Sequence, residues 1–173
     1  LDALARTAGR LGRAAPVSIR LNPDVNARTH PHITTGRAEN KFGVEAGEAM
    51  ALYLRASRDR RLRVVGIQCH IGSQITSATP YRRAASIMAS LAARLKRSGI
   101  PLAFADLGGG LGISYKDETP LEPRVLVKTM EAAFAGLPEL ELLVEPGRYL
   151  VADAGLLLRL VLYRKLCSKR RFV

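Results

Sequence analysis

Short apolar runs alternate with longer segments of helical periodicity along most of this chain, and that alternation constrains its fold more than any other feature. The predicted strands are Val17–Leu21, Val64–Ile71, Leu102–Leu107 and Leu140–Glu145. The predicted helices, from apolar residues three or four positions apart, are Glu45–Ser57, Pro80–Ser98 and Glu122–Leu137. Strands that alternate with helices indicate βαβ units and a parallel sheet, so the expected fold class is α/β.

The helix predicted over Pro80–Ser98 carries the clearest boundary signals. Thr79 is the expected N-cap, Pro80 the first helical residue, and Gly99 follows the end. The expected buried stripe is formed by Tyr81, Ala84, Met88, Leu91 and Leu95.

Each predicted strand is followed directly by charged or polar residues or by glycines, which are residue types that bind ligands. The segments that follow the four strands are "NPDVNARTHPH", "HIGSQI", "GGGLG" and "EPGR". Because α/β barrels and open α/β sheets bind ligands at the carboxyl ends of their strands, we expect a partial (β/α)8 barrel of the TIM type over residues 1–151. Residues 152–173, with the apolar and basic "LLLRLVLYRKL", are expected to leave the barrel and begin a second, β-rich domain.

The glycine run in "DLGGGLGISY", Asp106–Tyr115, allows two interpretations. Glycines let backbone N–H groups approach an anion closely, and they also permit a bend with positive φ. The run is not a dinucleotide fingerprint, because the sixth position from Gly108 is Ile113, and no Gly-Lys-Ser/Thr of a Walker loop follows.

The segment "CHIGSQI" places His70 at a strand end, beside Gly72 and Ser73. It has neither the spacing of a zinc site nor the G-x-S-x-G of a nucleophile elbow. His70 is therefore either structural, or an imidazole that faces a planar phosphorylated ligand together with the Ser73 hydroxyl. The pair His30 and His32 lacks nearby carboxylates apart from Asp24, so we expect no metal site.

The segment "VEPGR" is the strongest local signal. Glu145 at a strand mouth can bond a protonated ring nitrogen, and Arg148 can clamp a phosphate or carboxylate. The alternative is that Glu145 and Arg148 pair with each other in the loop.

The net charge of +12, from 27 Lys+Arg against 15 Asp+Glu, favours an anionic partner. The basic clusters Arg55–Arg63, Arg82–Arg83 and Arg164–Arg171 contain no interleaved aromatic residues of a single-strand-binding groove, so no nucleic-acid partner is expected.

The apolar stretch near residue 155 is too short to cross a membrane and is interrupted by Asp153 and Arg159, so no membrane partner is expected. The two cysteines, Cys69 and Cys167, form no CxxC pair and fit a reducing, cytoplasmic compartment.

Four segments in order, "VSIRLNPDVNARTHPHITTGRAENKFGV", "CHIGSQI", "DLGGGLGISY" and "VEPGRYLVADAG", resemble the diaminopimelate decarboxylases. These are pyridoxal-phosphate enzymes of the alanine-racemase-like fold type III group. The resemblance implies decarboxylation of meso-2,6-diaminopimelate to L-lysine, an amino-acid substrate, pyridoxal 5'-phosphate as cofactor and a homodimer. The glycine run and EPGR are shared with arginine and ornithine decarboxylases of the same fold.

The resemblance also implies the cofactor residues, which are His70, Ser73, Gly108, Gly109, Gly110, Glu145, Arg148 and Arg20. His70 would stack on the pyridoxal ring, while Ser73 and the glycine backbone would hold the phosphate. Glu145 would bond the pyridinium nitrogen, and Arg148 would reach the phosphate and the substrate carboxylate. Arg20 would lie on the barrel wall beneath the cofactor, and Lys41 toward the subunit contact.

Two parts of the family pattern do not occur in these 173 residues. The family anchors its cofactor through the lysine of a "Y-A-x-K-A"-type segment, and its second domain supplies a catalytic Cys-Glu segment. Lys41 and Cys167 match neither motif. The expectation is an internal fragment, inactive alone. The open alternatives are an arginine, ornithine or polyamine-precursor decarboxylase, a non-catalytic cofactor-binding module, and a basic nucleic-acid-binding protein.

Overall fold

The computed structural model describes residues 1–25, 42–168 and 170–172. Its helices are α1 (Asp2–Arg10), α2 (Ala46–Arg58), α3 (Ala78–Arg97), α4 (Pro123–Phe134) and α5 (Gly147–Val151). Its strands are β1 (Ala15–Asn22), β2 (Val44–Glu45), β3 (Leu62–Cys69), β4 (Phe104–Asp106), β5 (Glu141–Leu143), β6 (Lys165–Cys167) and β7 (Arg170–Phe172). The positions predicted for Lys41, His30 and His32 lie outside the described residues.

The first five strands form one sheet in the order β2-β1-β3-β4-β5, and all four neighbouring pairs are parallel. The α/β class and the parallel sheet are therefore confirmed. Parallel pairing has a functional consequence, because every strand of this sheet ends at the same edge. β6 and β7 form a separate antiparallel hairpin.

One face of the sheet is covered by helices, and the hydrophobic core lies between them. The predicted stripe of α3 is confirmed, since each of its five residues is 4% exposed or less. On the strands, alternation points Ile19, Ile67 and Ala105 into the same core. Burying a large apolar side chain stabilises the fold by about 1.5–3 kcal/mol, so this layer holds the sheet in place.

Tyr53 of α2 forms hydrogen bonds to the backbone of β1 and β3 near a shift in their register. The register of the two strands shifts between Val17 and Ser18. The Tyr53 hydroxyl accepts the Ile19 N–H at 3.1 Å and lies 2.9 Å from the carbonyl oxygen of Gly66, to which it can donate. It thereby satisfies backbone groups that the interrupted ladder leaves open, and burial raises the pKa of Tyr53 to about 12.

The amino-terminal boundary of α3 differs from the prediction. The helix begins at Ala78 after an extended Ser77, so Thr79 is not the N-cap and Pro80 is the third helical residue. A proline is tolerated there because N–H groups of the first turn have no acceptor within the helix. The helix ends at Arg97, one residue before the predicted Ser98, and Gly99 follows the cap with a φ of +74°.

Several other elements end earlier than predicted, and some were not predicted. The observed ends of α4, β3 and β5 are Phe134, Cys69 and Leu143, where Leu137, Ile71 and Glu145 were expected. Buried Ile71 and Leu137 extend the apolar pattern beyond β3 and α4, whereas Val144, which follows β5, is exposed. β4 is likewise limited to three residues of the predicted six, while α1, α5, β2, β6 and β7 were missed.

Residues after α5 leave the packed region. Leu156 and Leu158 are more than 90% exposed, and the hairpin follows. An exit segment over residues 152–173 and a β-rich domain beyond it stay predictions. In the part of the chain that is described, no helix has the length and apolar character needed to cross a membrane.

Candidate functional site

The sheet register aligns three polar residues and one leucine just below the carboxyl edge of the sheet. Arg20 pairs with Gln68, Gln68 with Asp106, and Asp106 with Leu143, so these four residues form one row across β1, β3, β4 and β5. In a parallel sheet such a row shares one face, here the face opposite the helices. The next residues along the strands therefore meet at one place.

The glycine run after β4 fills the gap between the loops that follow β3 and β5. A Cβ atom on each glycine would lie 2.1–2.4 Å from a carbonyl oxygen, those of Cys69, Glu145 and Gly72 in turn. Gly108 and Gly110 also have φ values of +71° and +93°. The bend interpretation therefore accounts for all three glycines, and it brings the backbone against both neighbouring loops.

The first two N–H groups of the run are bound within the protein. Gly108 N–H donates to Oδ1 of Asp106 at 2.8 Å, and Gly109 N–H donates to Nδ1 of His70 at 3.2 Å. The carbonyl of Gly108 accepts the N–H of Glu145 at 2.9 Å. These bonds join the ends of three strands through one loop.

The next two peptide groups are held by their carbonyls instead. The Tyr81 hydroxyl donates to the carbonyl of Gly109 at 3.1 Å, and Ile75 N–H donates to that of Gly110 at 2.8 Å. No described residue accepts the N–H of Gly110 or of Leu111. Two successive donors of this loop are thus left for a ligand, which is the arrangement that binds anions.

The environment of His70 favours a neutral ring. Burial lowers the pKa of His70, the charge of Arg20 lowers it further, and Asp106 acts in the opposite direction. Because Nδ1 accepts the Gly109 N–H, the proton of the neutral imidazole is assigned to Nε2. The structure thus places His70 at the site as a neutral, oriented ring.

Cys69 is not a candidate nucleophile. It is fully buried, and burial raises the pKa of its thiol to about 12, with Asp106 acting in the same direction. Its Sγ lies 3.7 Å from the carbonyl oxygen of Leu107. Since the thiolate is the reactive form, this thiol serves as a small core residue.

Glu145 and Arg148 do not pair with each other. The ion pairs of the described residues are Asp2–Arg55, Asp59–Arg61 and Lys96–Glu139. Glu145 is exposed two residues after the end of β5, and Arg148 is exposed as the second residue of α5. The alternative of a mutual loop pair is therefore wrong, and both charges remain available to a ligand.

The remaining predicted residues border the same edge. Ser73 is half-buried and follows Gly72, whose carbonyl lies against Gly110. Arg20 is half-buried with its guanidinium carbon 5.3 Å from the centre of the Phe42 ring, a cation–π contact. Among the described residues, no three His, Cys, Asp or Glu side chains cluster as metal ligands would.

Sequence reasoning assigned no role at the site to Asp106, Tyr81 or Gln74. Gln74 accepts the Ile113 N–H at 3.2 Å through Oε1 and donates to the Ile113 carbonyl through Nε2, fixing the exit of the glycine run. Asp106 opens the quoted motif, which was the available signal. Tyr81 was predicted only as part of the buried apolar stripe of a helix, and that pattern gives no indication that its hydroxyl forms a hydrogen bond at the site.

Comparison with known proteins places this arrangement in a family. The family model described as "Pyridoxal-dependent decarboxylase, pyridoxal binding domain" matches residues 1–152. A diaminopimelate decarboxylase of Haemophilus influenzae is 46% identical over 95% of this chain and 40% of its own length. One of Pseudomonas aeruginosa is 45% identical over 99% of this chain and 41% of its own.

A solved structure shows the same fold. Diaminopimelate decarboxylase of Helicobacter pylori, complexed with L-lysine, superposes with a TM-score of 0.89 at 39% identity, over 98% of this chain and 42% of that one. The parallel sheet is thus part of an α/β barrel of the TIM type, as predicted. The chain spans about two-fifths of the length of these relatives. With most of its residues matched, this chain belongs to the pyridoxal-dependent decarboxylases, through their pyridoxal-binding domain.

Proposed function

We propose that this chain forms part of the cofactor site of a decarboxylase that converts meso-2,6-diaminopimelate to L-lysine with pyridoxal 5'-phosphate. The proposal is carried by three features at one sheet edge: His70, the open N–H groups of Gly110 and Leu111, and Glu145, which forms no ion pair with another described residue. Relatives of that name, 46% and 45% identical, support the substrate.

The residues present fit the cofactor on chemical grounds. The open N–H groups of Gly110 and Leu111, with the Ser73 hydroxyl beside them, supply donors for a phosphate. Gly108 and Gly109, expected to donate as well, are bound to Asp106 and His70. In this proposal they shape the loop rather than contact the phosphate.

The ring of the cofactor would be held by two side chains of known placement. The neutral, oriented imidazole of His70 offers a flat surface for stacking. Glu145 has no cationic partner among the described residues, so its carboxylate is free to hold a proton on the pyridine nitrogen. Pyridoxal 5'-phosphate, when bound, supplies an electron sink for the carbanion left by loss of CO2.

The two arginines would supply positive charge around the ligands. Arg148, exposed near the start of α5, would bind the phosphate and the substrate carboxylate, for which a guanidinium is well shaped. Arg20 would lie below the cofactor, in the row that reaches Asp106.

The homodimer, the second domain and a cytoplasmic location are further proposals. The free thiols of Cys69 and Cys167 support the cytoplasmic location.

A segment exchange tests the function. Residues 1–152, which the family model matches, would replace the corresponding segment of the Haemophilus influenzae relative, and CO2 release would be measured with diaminopimelate, ornithine and arginine. We expect release from diaminopimelate, and none of comparable rate from the other two. A folded chimaera that binds the cofactor but prefers ornithine or arginine would contradict the proposed substrate.

A further inference from the structure

We propose that Tyr81 is a positioning residue, which holds the Gly109–Gly110 peptide group so that its N–H stays directed at a bound phosphate. The inference rests on the proposed function, since it concerns the donors of the same site. Its basis is the hydrogen bond of 3.1 Å from the Tyr81 hydroxyl to the carbonyl of Gly109.

Peptide geometry connects that bond to the next donor. In a planar trans peptide, the carbonyl of one residue and the N–H of the next point in opposite directions. Tyr81 reaches the Gly109 carbonyl from α3, so the Gly110 N–H is directed away from α3. Fixing the carbonyl therefore fixes the direction of an open donor.

This peptide group would otherwise be the least constrained of the loop. It lies between two glycines, which allow a wide range of backbone angles. The preceding peptide is held at both ends, by Glu145 N–H and by Nδ1 of His70. For the Gly109–Gly110 peptide, the bond from Tyr81 is the one hydrogen bond that the described residues provide.

The burial of Tyr81 makes the contact specific. The residue is fully buried in the stripe of α3, where a phenol hydroxyl needs a partner. Burial also raises the pKa of Tyr81, so the hydroxyl stays protonated and remains a donor. A phenylalanine would fill the same volume and lose the hydrogen bond alone.

The test compares Tyr81→Phe with wild type by the affinities of the chain for pyridoxal 5'-phosphate and for pyridoxal, which lacks the phosphate. We expect about fivefold weaker binding of the phosphorylated ligand, the size of one lost hydrogen bond, and unchanged binding of pyridoxal. Tyr53→Phe is the matched control, because it also removes a buried hydroxyl that bonds backbone, on α2. It should lower stability and leave the affinity ratio unchanged.

The outcomes separate the inference from the proposed function. If wild type binds both ligands equally, or neither, the phosphate site itself is refuted. If wild type prefers the phosphorylated ligand and Tyr81→Phe keeps the full preference, only the role of Tyr81 is refuted.

A measurement on the wild type covers the case in which Tyr81→Phe does not fold. Inorganic phosphate would be titrated into the chain with 15N-labelled glycine, and the glycine amide signals followed by NMR. The inference predicts the largest shift at Gly110. A response centred on Gly108 or Gly109, whose N–H groups are already bound, would overturn it.

Discussion

The N–H of Gly109 donates to Nδ1 of His70 at 3.2 Å, and this bond ties the loop after β4 to the end of β3. It accounts for two properties of the site together. The imidazole is held in one tautomer, and the glycine run is held against a side chain that its own motif does not contain. Hydrogen bonds therefore connect the loops that follow the strands of the site, so a change in the loop after β4 should also displace the end of β3.

Gly109→Ala should disrupt these connections. Its Cβ would lie 2.2 Å from the carbonyl oxygen of Glu145, a rigid backbone atom. We expect a loss of unfolding free energy of at least about 1–3 kcal/mol, measured by urea denaturation. The control is Gly47→Ala in α2, where no described atom outside the adjoining helix backbone lies within 4 Å of the new methyl group. Helix propensity predicts unchanged or slightly raised stability there, and equal losses in both variants would refute the packing argument.

His70 should make stability depend on pH near neutrality. Its pKa is lowered in the folded state, chiefly by burial, so the unfolded chain binds the proton more readily. The contribution of His70 to the free energy of unfolding is therefore fully present above its unfolded pKa of about 6.5. It is lost as the pH decreases below that value. Unfolding free energies at pH 8 and pH 5.5 should differ more for wild type than for His70→Gln. An identical difference in both proteins would show that His70 titrates freely.

That pH window is separated from the carboxylates. Arg61 holds the pKa of Asp59 at about 2, and the pKa of Glu139 is lowered by its bond to Lys96. Their contributions are lost only at more acidic pH, because a carboxyl with a depressed pKa stays ionised down to that value. The other two histidines are present in both proteins, so the comparison isolates His70.

The two cysteines should differ sharply in reactivity. Cys69 is buried with a thiol pKa of about 12, whereas Cys167 is exposed. At pH 8 an aromatic disulfide reagent should modify Cys167 rapidly, and Cys69 at least about a hundredfold more slowly. Denaturant should make the two rates similar. Fast modification of both thiols in the native chain would mean that the core beneath His70 is open.

The isolated chain should release no CO2 from diaminopimelate, even with the cofactor added. Its 173 residues contain no "Y-A-x-K-A"-type segment, which the family uses to anchor the cofactor. The chimaera described above is the positive control in the same assay. Release by the purified chain at a rate near that of the chimaera would show that another residue can replace the lysine.

Periodicity predicted the elements whose burial is set by local pattern. The α3 stripe and β1 followed from the spacing of large apolar residues. α1 was missed because its buried residues are only Ala5 and Ala8, whose small side chains give a weak pattern. α5 was missed because it is a short helix with no buried residue.

The site was predicted at the level of strand ends but not of individual hydrogen bonds. Strand order predicts that His70 and Glu145 approach the glycine run. The N–H of Gly109 is bound by His70 of the β3 end, and its carbonyl by Tyr81 of α3. The bond from Gly108 N–H to Asp106 is local to the motif, but no spacing rule within one segment reveals the partners His70 and Tyr81, because they come from other elements.

In the proposed cofactor site, Glu145 would hold the ring nitrogen of pyridoxal 5'-phosphate in its protonated form. The most direct measurement is the NMR signal of 15N-labelled pyridine nitrogen in the cofactor bound to the chimaera. We predict a protonated nitrogen in wild type and in Glu141→Gln, which changes an exposed carboxylate at the other end of β5. Glu145→Gln should give an unprotonated nitrogen and decarboxylate at least about a hundredfold more slowly. A nitrogen that stays protonated in Glu145→Gln, with decarboxylation unchanged, would contradict the account.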